Sequence, residues 1–443
     1  MLKTFRIGGI HPPGNKLSAG KKITSIPVPR QVIIPLGQHI GAPAQAVVKK
    51  GDQVKAGTLL GESGGFVSAN IHSSVSGKVN KIDNAVDASG YKRPAIYIDA
   101  EGDEWEDTID RSETLVRECS ISSQEIIDKI AQAGIVGLGG ATFPTQVKLT
   151  PPAGLRPEIL IINGVECEPY LTSDHSLMIE KGEQVLTGVT ILMKAISVDK
   201  AVIGIENNKP DAIIHLKDLA KRYTGIEITP LKVQYPQGGE KQLIDAVVRR
   251  QVKSGALPIS VGAVVHNVGT AYAVYEAVQK NKPLIERVVT VTGKGVANPS
   301  NFMVRIGTPV RDLIEAAGGM SENTGKIIGG GPMMGKALTS ADIPVTKGSS
   351  GILVFSKEES LRKPVHNCIR CAKCVQVCPM GLNPTLLMNA TEFANWELAE
   401  KNYIVDCIEC GSCSFTCPAC RPLLDYIRSG KGKVMGIIRA RKS

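Results

Sequence analysis

No stretch of this sequence approaches the roughly 20 consecutive apolar residues that cross a bilayer. Its apolar stretches, such as Ile159-Leu-Ile-Ile162 and Ile352-Leu-Val-Phe355, are strand-sized. The opening residues, Met1-Leu-Lys-Thr-Phe-Arg6, lack the apolar segment of a secretory signal. These absences predict a soluble or membrane-peripheral chain that stays on the side where it is made. Aromatic residues are few, 4% of 443, while Gly is abundant at 46, which suits a loop-rich α/β protein that meets ligands through its backbone. Acids are short too: 42 Asp and Glu face 52 Lys and Arg, for a net charge of +10. Such a surplus fits a solvated basic surface, an acidic protein partner or an anionic membrane. No basic–aromatic surface motif or known DNA-binding pattern accompanies it, which sets nucleic acid aside. Cysteine is nearly missing from the first 367 residues, since nine of the eleven come later. Without an export signal, this local crowding argues for metal ligation and against a disulfide framework.

The crowded segment holds Cys368, Cys371, Cys374 and Cys378-Pro, then Cys407, Cys410, Cys413 and Cys417-Pro, the same spacing 39 residues on. A Cys-x-x-Cys-x-x-Cys loop supplies three thiolates to a [4Fe–4S] cube. The fourth Cys, before Pro, belongs in such two-cluster folds to the other cube. The predicted ligation is therefore crossed: Cys368, Cys371, Cys374 and Cys417 for one cluster, and Cys407, Cys410, Cys413 and Cys378 for the other. Zinc ribbons use paired Cys-x-x-Cys rather than triplets with a remote Cys-Pro. Cys420 and Cys119 read as small packing residues. Between the motifs, residues 383–402 show helical periodicity (Leu386, Leu387, Ala390, Phe393, Ala394, Leu398, Ala399).

A cluster pair carries single electrons and needs a source. Upstream, residues 122–131 read as a helix with a Ser cap, followed by Gly134, Gly137, Gly139 and Gly140. A helix before the glycines, not a strand, departs from the dinucleotide fingerprint. The run still offers backbone amides free of side chains to a phosphate or a flat ring. Residues 158–169 are an apolar strand ending in Asn163, Glu166, Cys167 and Glu168. Polar groups at the carboxyl end of a buried strand are where α/β folds bind ligands, although a solvated acidic turn looks the same. Residues 234–242 open a helix with Gly238, Gly239 and Lys241, and residues 265–270 end another apolar strand with His266, Asn267 and Thr270.

Taken in order, Gly137-Leu-Gly-Gly-Ala-Thr-Phe-Pro-Thr145 with Lys148, Asn163-Gly-Val-Glu-Cys-Glu-Pro169, Gly239-Glu240 and Asn267-Val-Gly-Thr270 resemble the FMN- and NADH-binding subunit of respiratory complex I. With the two-cluster tail, the chain more narrowly resembles the C subunits of Rnf electron-transport complexes, along essentially its whole length. That resemblance implies FMN, two [4Fe–4S] clusters and NAD(H) as substrate. It implies that Gly137, Gly139, Gly140 and Lys148 surround the FMN phosphate and ribityl chain. Asn163, Glu166 and Cys167 would edge the flavin, and Tyr235, Gly239, Glu240, Asn267 and Thr270 would complete its pocket. Phe143 and Glu168 would contact the dinucleotide, Glu168 as the catalytic residue. Leu138 stands where complex I has Arg, Val165 where it has Asp and Cys167 where it has Ser, and no aromatic follows Lys148.

Around Gly51 and Gly77 the sequence is similar to biotinyl/lipoyl-type barrel sandwiches, but Ser63-Gly-Gly-Phe-Val-Ser68 holds no Lys to modify at the hairpin tip. A structural or docking module is expected there. Residues 287–355 resemble the small β-grasp-like (SLBB) domain of complex I, with Gly329 to Gly331 read as a plain turn. The expected architecture is α/β and multidomain: an N-terminal arm (1–30), a barrel-sandwich hybrid (31–100), a Rossmann-like FMN- and NADH-binding domain (101–285), an SLBB domain (286–356), a helical two-cluster ferredoxin-like domain (357–428) and a basic tail (429–443). After Asp425 come Arg428, Lys431, Lys433, Arg439, Arg441 and Lys442 with no acid, read as a solvated end or a flexible docking segment. The expected function is a peripheral subunit on the cytoplasmic face of the membrane. It would exchange electrons between NAD(H) and the other Rnf subunits, the iron–sulfur B subunit and the membrane subunits, and indirectly with ferredoxin, coupled by the complex to ion transport. A related corrin reductase and a wire with no working flavin site are the alternatives.

Overall fold

A computed structural model describes residues 2–441 and shows an α/β multidomain chain. Residues near 31–100 form two small antiparallel sheets. One has the order Gln31–Pro35, Lys92–Ala100, Gly77–Val86, Gln53–Val54, and the other Gln45–Ala46, Leu59–Glu62, Ile71–His72. Alternation along the strands turns Val32, Ile34, Leu60, Ile71, Ile96 and Ile98 inward to a common core. The hairpin tip at residues 63–68 lies against the glycine-rich segment. Gln146 Nε2 donates to Ser68 O at 2.8 Å, and Ile40 N reaches Thr142 O at 3.4 Å.

The central domain is a four-stranded parallel sheet in the order Ile226–Leu231, Ala201–Glu206, Ile159–Asn163, Ala263–Asn267. Ala201–Glu206, Ile159–Asn163 and Ala263–Asn267 are near-continuous apolar runs, as strands covered by helices on both faces are, while the edge strand Ile226–Leu231 is mixed. Helices Ser123–Gln132, Gly182–Ala195 and Val268–Lys280 pack on one side, and Glu240–Val248 on the other. The helix expected from residue 122 starts as predicted, with Ser122 and Glu125 forming a reciprocal capping box. The strand order reverses between Ile159–Asn163 and Ala263–Asn267, which leaves a crevice beyond their carboxyl ends.

A six-stranded mixed sheet follows, in the order Ile23–Ser25, Ser300–Arg305, Glu286–Thr292, Gly351–Ser356, Thr324–Gly329, Lys336–Ala337. One of its two edge strands, Ile23–Ser25, comes from the N-terminal arm, which is therefore woven into the fold.

The cysteine domain is helical. The single helix expected over residues 383–402 is two, Pro384–Glu392 and Trp396–Lys401. Ala394 takes a left-handed backbone (φ 52), and the Asn395 side chain accepts from Leu398 N at 3.0 Å, capping a new start. Over its described part the expected tail is not an irregular end. Leu423–Ala440 is one helix that buries Leu423, Leu424, Ile427, Gly430 and Val434 along one face. Arg428 and Lys431 pair with Glu409 at 3.2 and 3.0 Å, and Arg441 pairs with Glu400 at 2.9 Å. Lys442 and Ser443, the end of the expected tail, lie outside the described residues.

Candidate redox site

The crevice of the parallel sheet gathers most of the residues expected around FMN. Asn163 and Asn267 end neighbouring strands in register. Asn163 Nδ2 donates to Gly238 O at 2.8 Å and its Oδ1 accepts from Val165 N at 3.1 Å. Asn267 Oδ1 caps helix Val268–Lys280 by accepting from Gly269 N at 2.7 Å, while its Nδ2 donates to Asp174 Oδ2 at 2.7 Å. Thr270 Oγ1 accepts from Leu138 N at 3.0 Å and pins the glycine loop over this helix start. Gly139 has to be glycine, because a Cβ there would lie 2.7 Å from Asn267 Nδ2, whereas beside Gly140 there is open space. Lys148, on the short helix Thr145–Leu149, donates to Glu240 Oε1 at 2.6 Å and to Val265 O at 3.1 Å. Phe143 and Lys148 are half-buried at the rim.

These features fit a flavin nucleotide. The glycine loop leaves open space at Gly140, and Lys148 brings a cation to the crevice. The amides at the start of helix Val268–Lys280 add a partial positive charge. His266, beneath, is neutral: burial, with Lys148 nearby, lowers its pKa to about 3, and its Nε2 has no hydrogen-bond partner among the described residues.

The acidic loop turns away from solvent. Glu166 has a left-handed backbone (φ 46). Its carboxylate accepts from Asp174 N at 2.8 Å and His175 N at 3.2 Å, at the start of helix Ser173–Glu180. A carboxylate there complements the helix dipole and offsets the backbone strain. Cys167 is half-buried, its Sγ accepting from Gly238 N at 3.3 Å, and burial pushes its pKa up to about 12. Glu168 points to the six-stranded domain, where its two oxygens accept from Met333 N at 3.2 Å and Met334 N at 2.7 Å. Burial raises its pKa to about 7. The turn expected at Gly329 to Gly331 comes slightly later: Gly329 ends strand Thr324–Gly329, Gly330 bends, and the turn spans residues 332–334. Gly331 leaves room for the carboxylate, since a Cβ there would meet Glu168 Oε2 at 2.4 Å.

The eight cysteines form two rings. Cys368, Cys371, Cys374 and Cys417 line one cavity of about 210 Å³, and Cys378, Cys407, Cys410 and Cys413 line a second, drawn in to about 20 Å³. Each ring thus holds three cysteines of one motif and the fourth of the other. Among the described residues no three His, Cys, Asp or Glu converge closely enough to hold a single metal ion. Four thiols gathered on each cavity, three from one motif and one from the other, suit a [4Fe–4S] cube. Burial pushes the Cys407 thiol up to about 11 and Cys413 up to about 12, so metal binding has to release protons there. Cys420 does not line either cavity.

The rings differ in place. Cys378, Cys410 and Cys413 are buried, whereas Cys368 and Cys371 are exposed. Tyr235, 2% exposed, donates its hydroxyl to Cys410 O at 2.8 Å and packs with Cys167, Cys410 and Met333. Cys374 of the first ring and Cys413 of the second share another packed cluster with Met388 and Leu423. The crevice, the inner ring and the outer ring therefore touch in sequence.

Several residues that build this arrangement carry no motif. Lys16 Nζ donates to Glu166 O, Glu168 O and Leu171 O at 3.0, 2.9 and 2.6 Å, clamping the acidic loop. Gly8 and Gly9 lie on the inner ring, with Gly9 N donating to Val377 O at 2.9 Å, and Ile10 exchanges backbone bonds with Tyr235. An isolated lysine and a Gly-Gly pair give no periodic signal, so pattern reading passes over them.

Family models match four segments: the RnfC barrel sandwich hybrid domain (residues 3–103), the Nuo51 FMN-binding domain (130–276), the SLBB domain (288–337) and the 4Fe-4S dicluster domain (367–420). An NAD+-reducing [NiFe]-hydrogenase in the H2-reduced state shares the fold, with a TM-score of 0.51 and 19% identity over 71% of this chain and 62% of that one. The C subunit of the proton-translocating ferredoxin:NAD(+) oxidoreductase complex of Clostridium ljungdahlii is 48% identical over 97% of this chain and 93% of that protein. Its counterpart in the Na(+)-translocating complex of Acetobacterium woodii is 45% identical over 98% and 97%. The corresponding protein of the ion-translocating oxidoreductase complex of Rhodobacter capsulatus is 42% identical over 98% and 84%. These names favour an ion-translocating complex over a corrin reductase. This chain belongs to the family of C subunits of ion-translocating ferredoxin:NAD(+) oxidoreductase complexes.

Proposed function

We propose that this chain is the NAD(H)-facing redox subunit of such a complex, on the cytoplasmic face of the membrane. It passes electrons between NAD(H) and the partner subunits, with ferredoxin reached through them. No helix among the described residues is long and apolar enough to cross a membrane, so the ion path belongs to other subunits. The observation that carries this reading is the unbroken packing from the crevice through Tyr235 and Cys410 to the inner ring, and on to an outer ring with exposed thiols. FMN, when bound, supplies the exchange between a hydride and single electrons.

The chain's residues orient and insulate. Gly137, Gly139, Gly140 and Lys148 hold the phosphate end of the flavin nucleotide, with Lys148 turning from Glu240 toward the phosphate. Asn163, Asn267 and Thr270 fix the crevice walls through the bonds described above, and Gly239 opens helix Glu240–Val248 beside them. Glu166 and Cys167 form the flavin edge nearest the inner ring, and Tyr235 closes the gap to Cys410. Phe143, at the rim, faces the dinucleotide. Glu168, held by Met333 and Met334, sets the depth of that site and meets the nicotinamide only by sharing its carboxylate with those amides. Cys378, Cys407, Cys410 and Cys413 ligate the inner cluster, and Cys368, Cys371, Cys374 and Cys417 the outer one. Anaerobically purified chain is expected to carry FMN and about eight iron atoms. NADH should bleach the flavin absorbance. Protein with zinc in place of iron, or a flavin inert to NADH, would sink the reading.

A further inference from the structure

We propose that residues 361–373 form the docking face for an acidic iron–sulfur domain of a neighbouring subunit, which exchanges electrons with the outer ring. This rests on the reading of Cys368, Cys371, Cys374 and Cys417 as cluster ligands. All 13 residues of this segment are exposed, and none before Lys373 lies in a helix or strand. His366 N, donating to Ala419 O at 3.0 Å, ties the segment across the turn that follows Cys417. Two of the four outer thiols thus sit on a ribbon at the surface, and the ring's open side faces out through it.

The ribbon has the composition of an interface. Leu361, Val365 and Ile369 recur every fourth residue, at 77%, 55% and 69% exposure, and Phe415, two residues before Cys417, is 52% exposed. Singly, exposed apolar residues mean little, but several on one irregular segment that also carries two ring thiols, with Ile369 lining the ring's cavity, mark a surface that a partner covers. Four cations, Arg362, Lys363, Arg370 and Lys373, lie in the same segment with no acid. Arg362 pairs with Asp425 at 2.5 Å. Lys363, Arg370 and Lys373 have no side-chain hydrogen bond or ion pair among the described residues, unlike Arg428 and Lys431 beside the inner ring. Four thiolates around a cube carry net negative charge, which offsets part of this excess at the ring and leaves Lys363 outside it. A cationic collar selects an acidic face and repels a basic one. The aliphatic side chains favour a resident subunit over a soluble carrier that meets the surface briefly, because lasting interfaces have a more apolar core. A membrane surface would answer the charge but would leave the electron with nowhere to go.

Two measurements on the intact complex test this. A photoreactive benzoylphenylalanine in place of Ile369 should crosslink, on illumination, to a single subunit that bears an iron–sulfur centre and an acidic surface. Adducts with lipid only, with a subunit lacking such a centre, or with soluble ferredoxin only would overturn the proposal, as would no adduct. The double variant Lys363→Glu, Lys373→Glu should slow NAD+ reduction by reduced ferredoxin through the complex by about tenfold or more. Its iron content and the NADH-driven reduction of a neutral quinone by the isolated chain should stay unchanged. An unchanged rate through the complex would refute the docking face. Should the double variant lose iron, Lys363→Glu alone, five residues before Cys368, carries the same expectation. If the isolated wild-type chain fails to oxidise NADH, it is the proposed function that fails, and the crosslink still reports on docking.

Discussion

At the scale of single residues, the acidic loop shows how a motif residue serves the fold as well as the site. Glu168 is bound by two amides of another domain at the cost of burying its charge, and its carboxyl keeps its proton up to about 7 against an ordinary value of 4.5. The folded chain therefore holds more protons than the unfolded one between these values. The stability this group contributes is full below 4.5 and is lost as pH rises through 7. Asp174, pushed up to about 7 by burial and by Glu166, acts in the same window. Glu168→Gln keeps the volume, removes the titration, and should flatten the decline in anaerobic unfolding free energy between about pH 5 and 7.5 by up to roughly 3 kcal/mol. A decline as steep as in the native chain would show that the carboxyl is ionised in the fold. The grouping of eight cysteines into two rings was legible in the sequence because each motif repeats the same spacing and ends in a Cys-Pro. The partners of Glu168 were not, because a carboxylate looks the same in sequence whether it faces water, a ligand or a buried amide.

At the scale of elements, the glycine loop, the apolar strands and the capped helix at Ser122 were readable from local signals: permissive backbone, burial on both faces, a reciprocal cap. The arm and the last helix were not, for opposite reasons. The arm is held by backbone bonds, close approaches and single polar side chains such as Lys16 and Arg6, which leave no hydrophobic period. Gly8 (φ 70) approaches so closely that a Cβ would lie 2.6 Å from the carbonyl of Cys378. Gly8→Ala should therefore displace the arm or Cys378 and lower iron from about eight to about four atoms per chain. Full iron content would mean that the arm is dispensable to the inner ring. The last helix was hidden because its cations read as a solvated tail, while Gly430, Gly432 and Gly436 weaken any helical signal there. In fact Gly430 is needed for contact, its Cα lying where a Cβ would come within 2.1 Å of Thr391 Oγ1, and Val434 is fully buried. Truncation after Arg428 should accordingly destabilise the whole cysteine domain and release iron. Intact clusters in the shorter chain would restore the reading of this segment as a mere appendage.

At the scale of the whole molecule, four domains and an arm are assembled so that one buried line runs from the sheet crevice to a surface ring of thiols. The barrel sandwich braces the glycine loop, the SLBB domain receives Glu168, and the arm fills the seam between the crevice and the inner ring. The order of the domains was readable from their resemblances. Their contacts were not, since seams between domains are built from residues scattered over the chain. The central claim is that electrons from NADH reach the outer cluster only through the inner one. Rapid mixing with NADH, followed by freeze-quenching and electron paramagnetic resonance, tests it in two variants. In Cys417→Ser the outer cluster is lost and the inner one should still be reduced as fast as in the native chain. In Cys378→Ser the inner cluster is lost, and the outer one, though present, should be reduced at least about tenfold more slowly, since the gap it must cross has lost its intermediate carrier. An outer cluster reduced at the native rate in Cys378→Ser would contradict the account.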